Sequence, residues 1–319
     1  MSLPDPPLPD ELYHYTNAGG LHGILEHNAL WATHAAYLND SQEFTFGMQL
    51  LLAELEASEK PPPQPPKAAS DLTIADVLVA VLPWLLSKAL RLHFQQRTEF
   101  LRQNAGPFVT CLSAARDQLS QWRGYGTGGG YAVRFDPHAL RESLVRYRPQ
   151  VQTPPEEIFG VPILERRLIK MAYETSAQIG RVQEQVTQFT NTFAGMLSTE
   201  NLATDSVPQR VQDLVRTELN PLLTAALGLA TRLKHPGFKE EDEYRIVTFS
   251  PPEFFSPNDL GLIPRVNIAF DPQCIKEVLI GPGQHMDTRE SSVRAYLQRH
   301  QGRYAGVEVI RSETPFTGK

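Results

Sequence analysis

Cysteine is scarce in this chain of 319 residues: Cys111 and Cys274 stand far apart, without the spacing of a zinc knuckle. A disulfide framework and a cysteine-based metal site are set aside, and a reducing, cytoplasmic setting is the simplest expectation. Long apolar runs are missing too. The longest, VLVAVLPWLL at 77 to 86, lies between Asp76 and Lys88 and contains Pro83, so it reads as a buried, kinked helix and not as a membrane span. There is no excess of basic charge. The net charge is −6, which gives no general attraction to nucleic acid or to anionic lipid. The opening MSLPDPPLPDE has acids and prolines where a signal peptide carries basic and apolar residues, so export by that route is not expected. Walker-type lysine loops, Gly-x-Ser-x-Gly, His-Glu-x-x-His and EF-hand patterns are absent as well. The common phosphate-loop, hydrolase and metalloenzyme readings lose ground, and no metal is expected.

What is present is enough for a substantial core: 41% of the residues are hydrophobic, in one domain or a domain with insertions. Residues 12 to 56 read as a strand with Tyr13 and Tyr15, a helix from about Gly19, a short strand near ALWAT and a second helix starting near Asn39. Asn39 or Asp40 is placed to cap that helix, and if Asp40 is the cap Glu43 completes a capping box. The proline-rich EKPPPQPPKAAS is a linker into helical sequence that runs to about Gln103. The period then changes. PFVTCLSA, GGYAVRFD, YRIVTFS, VNIAF, EVLIG and GVEVI are short, rich in Val, Ile and Phe, and bounded by Gly, Pro or Asp, so they read as strands. A helical stretch, roughly 167–233, separates the second from the third. The expected fold class is α+β: a single domain over 1–319, strand-rich, carrying helical insertions at about 64–105 and 167–233.

Three constellations carry chemistry. FKEEDEYRIV, at 238–247, sets four acids before a strand. Strand alternation would put Glu241, Glu243 and Arg245 on one face, opposite Tyr244 and Ile246. Taken alone this is most simply solvated charge. In LYHYTNAGG, His14 and Thr16 share a face away from Tyr13 and Tyr15, an arrangement that can hydrogen-bond a ribose diol or serve as ordinary structure. SQWRGYGTGGGYAVRF reads as a flexible glycine-rich turn into a strand, with Trp122 and Arg123 as candidates to stack a base and hold a phosphate.

LYHYT, GLHGILEHNALW, YLNDSQEF, TCLSAARDQLSQWRGYGTGGGYAVRF and KHPGFKEEDEYRIV follow in order the sequence blocks of a bacterial domain-of-unknown-function family, number 2971, with His14 where many members have Lys and Tyr244 where the pattern has Trp. The chain resembles that family, which in turn resembles the ADP-ribosyltransferase superfamily. The resemblance implies a split β-sheet body with NAD bound as substrate in a cleft. It also implies a ribose held by His14, Tyr37 stacked near the nicotinamide, and Glu243 as the catalytic carboxylate. Glu243 would accept a hydrogen bond from the ribose 2′-hydroxyl and stabilise an oxocarbenium-like transition state. Glu241 would orient or deprotonate the acceptor, and the pairing of two acids would raise one pKa. Arg245 would neutralise one of them or bind phosphate. The function so implied is an ADP-ribosyltransferase or NAD glycohydrolase, of toxin or phage-defence type, acting on a protein or nucleic-acid acceptor and paired with a possible antitoxin. The alternatives are a nucleotide-binding or protein-interaction module of the same fold, or a nuclease or phosphodiesterase, which dependence on a divalent metal would support.

Overall fold

The computed structural model describes residues 7–38, 42–58, 88, 91–92, 95–96, 107–126, 129–147, 166–174, 176–184, 186–188, 231–258 and 260–315. The expected cap at Asn39 or Asp40, the proline-rich linker and the Pro83 stretch lie outside the described residues, as does most of the expected insertion at 64–105.

Among the described residues ten strands form one mixed sheet: β1 (Leu12–Thr16), β2 (Ala29–His34), β3 (Pro107–Ser113), β4 (Tyr131–Phe135), β5 (Arg167–Lys170), β6 (Glu243–Phe249), β7 (Phe254–Asn258), β8 (Gly261–Ala269), β9 (Ile275–Ile280) and β10 (Glu308–Arg311). The pairings are antiparallel except β9 with β10. The main path runs β10-β9-β4-β1-β3-β2-β8-β7, and β6 joins the other edge of β3 with β5 outside it. The sheet is accompanied by helices α1 (Ala18–His27), α2 (Gln42–Ser58), α3 (Leu119–Tyr125), α4 (Pro137–Arg146), α5 (Met286–Arg299) and α6 (Gln301–Tyr304), and by 3-10 turns at Ala35–Tyr37, Pro236–Glu241 and Pro272–Cys274. The mixture of helix with a largely antiparallel sheet agrees with the α+β expectation.

α1 starts where Asn17 accepts a hydrogen bond from the Gly20 amide and ends at left-handed Asn28. Such a cap contributes about 1 kcal/mol. Leu21, Ile24 and Leu25 of α1, Leu140 and Leu144 of α4, and Val293 and Leu297 of α5 pack on one face of the sheet, against Leu12, Leu30, Phe108, Leu112, Tyr244 and Ile246. Tyr244 and Ile246 thus occupy the core face the sequence assigned to them.

Two segments depart from expectation. Residues 167–170 are a strand and not the start of a helical insertion, and helical residues begin at 176. Leu168 and Ile169 are buried, and RLIK finds its backbone partners on β6. Pairing of this kind overrides local periodicity. The supposed flexible turn opens with α3, and Gly126 and Gly130 after that helix serve close packing.

Candidate functional site

β3 is where the sheet divides. One edge pairs along its whole length with β6, from Pro107↔Phe249 to Ser113↔Glu243. The other edge meets β1 only at Tyr13↔Ser113 and β2 only at Thr33↔Val109 and His34↔Phe108. Between those points side chains replace the missing ladder. The His14 ring bonds the Cys111 carbonyl through Nδ1 at 2.9 Å, and Thr110 Oγ1 donates to the Trp31 carbonyl at 2.9 Å. A carbonyl only accepts, so Nδ1 carries the proton. Burial lowers the His14 pKa, which keeps the ring neutral and leaves Nε2 as an acceptor.

Register assigns the faces. Thr33 pairs with both Val109 and Arg265, and Val109 pairs with Val247. With alternation at period two, Arg265, Trp31, Thr33, Cys111, Glu243 and Arg245 lie on the face opposite the helix-packed core. That face opens as a cleft of about 660 Å³, lined among others by all six, and also by His14, Thr16, Tyr37, Tyr125, Lys234 and Glu241.

At the start of β6, Arg245 holds Glu243 in a two-point ion pair, Nε to Oε1 at 2.5 Å and Nη2 to Oε2 at 3.0 Å. Lys234 Nζ donates to Glu243 Oε2 and, at 2.8 Å, to Glu241 Oε2. Glu243, Arg245 and Lys234 are all buried. Burial alone would raise the Glu243 pKa, but the Arg245 and Lys234 charges outweigh it and hold the carboxyl at about 2. The mutual elevation expected of two neighbouring acids is therefore not found at Glu243, because Lys234 stands between them. The Cys111 thiol also donates to Glu243. Burial, reinforced by that carboxylate, pushes the thiol pKa well up, so Cys111 is a protonated donor and not a nucleophile. The Glu243 amide donates to the Tyr173 hydroxyl at 2.8 Å, fixing the strand entry.

Glu241 does not reach the cluster by strand alternation. It closes a 3-10 turn, Pro236–Glu241, and left-handed Asp242 (φ 38°) links that turn to β6. The turn is pinned by Ser113 Oγ donating to the Glu241 carbonyl at 2.6 Å and by the Ala114 amide donating to Asp242 O at 3.0 Å. Asp242 pairs instead with Lys170 at 3.2 Å at the surface, and Glu240 is exposed. Both fit the ordinary solvated reading.

Trp122 is no stacking platform. It is 1% exposed, packs edge-on against Tyr15 at 4.8 Å and donates from Nε1 to Asp117 at 2.7 Å. The glycines around it are its socket. A Cβ on Gly281 would stand 2.6 Å from the Trp122 ring, and one on Gly130 would stand 2.3 Å from Gly126. Arg123 is exposed and does not line the cleft, whereas its helix neighbours Gln121 and Tyr125 do. Tyr37 lines the cleft, 38% exposed, with its ring edge-on to His34 at 5.6 Å. Lys234, Cys111, Trp31 and Arg265 were not singled out from the sequence. For Lys234 a signal existed, since it opens the block KHPGFKEEDEYRIV.

A family model described as "Protein of unknown function (DUF2971)" matches residues 121–246, which supports the resemblance to that family. No curated protein and no solved structure matches the chain. Among the described residues no helix is long and apolar enough to cross a membrane.

Proposed function

We propose that the cleft binds NAD and that the protein is an ADP-ribosyltransferase or NAD glycohydrolase built on an ADP-ribosyltransferase-like split sheet. The observation that carries this reading is that one cleft, at the division of the sheet, is lined by the neutral acceptor His14, the exposed ring of Tyr37 and a Glu243 carboxylate whose pKa is held low. In that reaction the bond from ribose C1′ to the nicotinamide nitrogen breaks, and its electron pair leaves with nicotinamide. Positive charge develops on the ribose. His14 Nε2 accepts from a ribose hydroxyl, and Glu243 accepts from the 2′-hydroxyl as that charge grows. Lys234, shared between Glu241 and Glu243, shifts towards Glu241 and opens one acceptor position on Oε2, which Arg245 Nη2 continues to hold. An acceptor or a water then bonds to C1′, and Glu241 takes its proton.

A second reading is favoured by one specific feature. Arg245, Lys234 and Cys111 already occupy much of the acceptor capacity of Glu243, as in a binding module that never turns NAD over. Nicotinamide release from NAD, followed by chromatography, separates the two. Glu243→Asp is the informative variant, because it keeps the charge between Lys234 and Arg245 while withdrawing the carboxylate by one methylene. The wild type is expected to release nicotinamide and the variant to lose on the order of 100-fold or more. Equal rates would remove Glu243 from the mechanism. Binding of NAD by the wild type without release would select the module. Mass spectrometry of cell protein and RNA after incubation with labelled NAD would identify the acceptor class.

A further inference from the structure

The cations of the cleft differ in how they are neutralised. Lys234 and Arg245 are tied to carboxylates. Arg265 is held by neutral groups: Nε donates to Ser256 Oγ, Nη1 donates to Thr33 Oγ1 at 2.6 Å, and the guanidinium lies 5.4 Å from the centre of the Trp31 ring. Phe254 supports that ring edge-on at 5.4 Å. Two hydroxyls and a ring face fix the plane of the guanidinium without cancelling its charge. Among the described residues no carboxylate forms an ion pair with it. Of its five N–H donors two are used, and the remainder form the fork that matches paired phosphate oxygens.

We propose that Arg265 is the phosphate-binding side chain of the cleft and takes the pyrophosphate of an extended dinucleotide. Register puts Arg265 and Glu243 on the same face. Strand order puts three ladder steps between their strands, β6-β3-β2-β8, or about 14 Å at the usual strand spacing, and register sets Arg265 level with Val247, four residues or about 13 Å along from Glu243, so the two backbones lie about 19 Å apart. A ligand that engages both is therefore long. A ribose at Glu243 with a pyrophosphate towards Arg265 satisfies that span, and a lone nucleoside does not. The identification of the ligand as a dinucleotide rests on the NAD reading above, whereas the anion site rests on the Arg265 geometry alone.

Calorimetric titration with ADP, inorganic pyrophosphate and adenosine tests the site without any turnover. The wild type is expected to bind ADP at least tenfold more tightly than adenosine. Arg265→Gln is expected to abolish that preference and leave adenosine binding unchanged. Should Arg265→Gln fail to fold, Arg265→Lys, which keeps the charge and loses the fork, is expected to weaken ADP binding about tenfold. Thr33→Val, which frees the fork from one anchor, is expected to weaken it less. A wild type that does not distinguish ADP from adenosine, or a folded Arg265→Gln protein that binds ADP like the wild type, overturns the proposal. A single-stranded RNA oligonucleotide that needs Arg265 while ADP does not bind also overturns it, in favour of a nucleic-acid contact. Arg265-dependent ADP binding in a protein that releases no nicotinamide sustains the anion site and rejects turnover. Nicotinamide release with an unchanged KM for NAD in Arg265→Gln does the reverse.

Discussion

Two buried glutamates lie on the same face of one sheet and behave in opposite ways. Glu243 on β6 and Glu277 on β9 are 3% and 2% exposed, and each has two cationic partners. The partners of Glu243 are buried with it. Those of Glu277, Arg116 at 3.3 Å and Arg134 at 3.5 Å, have side chains 46% and 24% exposed. Burial raises the Glu277 pKa, and the two arginines do not overcome it. At Glu243 the cations prevail and the pKa falls to about 2. Where both partners are desolvated, the attraction acts through a low dielectric. Where water reaches the cations it is screened, and at Glu277 the neighbouring carboxylates Glu11 and Glu308 add to the cost of burial. Glu277 does not line the cleft, and Glu243 does. The cleft is thus where the sheet holds a buried charge firmly.

The largest effect that sharpens this contrast is expected from Lys234→Met, which leaves Glu243 and Glu241 without their shared cation. Removing one partner of a buried pair costs about 3–5 kcal/mol, to be read from urea unfolding at pH 7. A loss below about 1 kcal/mol would mean that the Glu243 cluster is no more tightly coupled than the Glu277 one. Next is the acid limb of stability. A folded-state pKa lowered from 4.5 to about 2 contributes stability that is complete above 4.5 and disappears as pH falls towards 2, on the order of 3 kcal/mol. Glu243→Gln should flatten that limb at the expense of stability at pH 7, since it withdraws the buried carboxylate that Arg245 and Lys234 share. A wild-type limb that stays steep in Glu243→Gln would assign it to other carboxylates.

The sequence already exposed the regular parts of this arrangement. β3, β4, β6, β9 and β10 are short β-rich runs closed by Gly, Pro or Asp, and that punctuation is local. β5 escaped because RLIK adjoins a helical pattern and takes its partners on β6, from Tyr244 to Val247. β7 contains Pro257, which demotes a run to an edge position, and it is indeed the last strand beside β8. The same division holds in the site. Glu243 and Arg245 stand two apart and declared a shared face. Glu241 reached them through the left-handed Asp242, a backbone turn that alternation does not foresee. Arg265 was silent, because its hydroxyl anchor Thr33 lies 232 residues away and only sheet pairing brings the two together.

The smallest expected effect belongs to Glu277→Gln, and its sign is the sharpest test of the contrast. A raised carboxyl pKa means that the folded protein holds this proton more tightly than the unfolded chain does. Glu277 therefore opposes folding once pH exceeds its folded pKa, and that opposition is relieved as pH falls through it towards 4.5. The amide removes the charge and keeps the shape, and Arg116 and Arg134 can turn to solvent or to Glu11, which Arg134 already contacts at 2.9 Å. Glu277→Gln is expected to be neutral or stabilising by up to about 1 kcal/mol at pH 8, since exposed partners contribute little. The difference from wild type should shrink by pH 4.5, where Glu277 is protonated in the folded protein. Urea unfolding at the two pH values reads both quantities. A destabilisation above about 2 kcal/mol at pH 8 would show Glu277 to be held as firmly as Glu243, and burial of the partners would no longer explain why the two carboxyls shift apart.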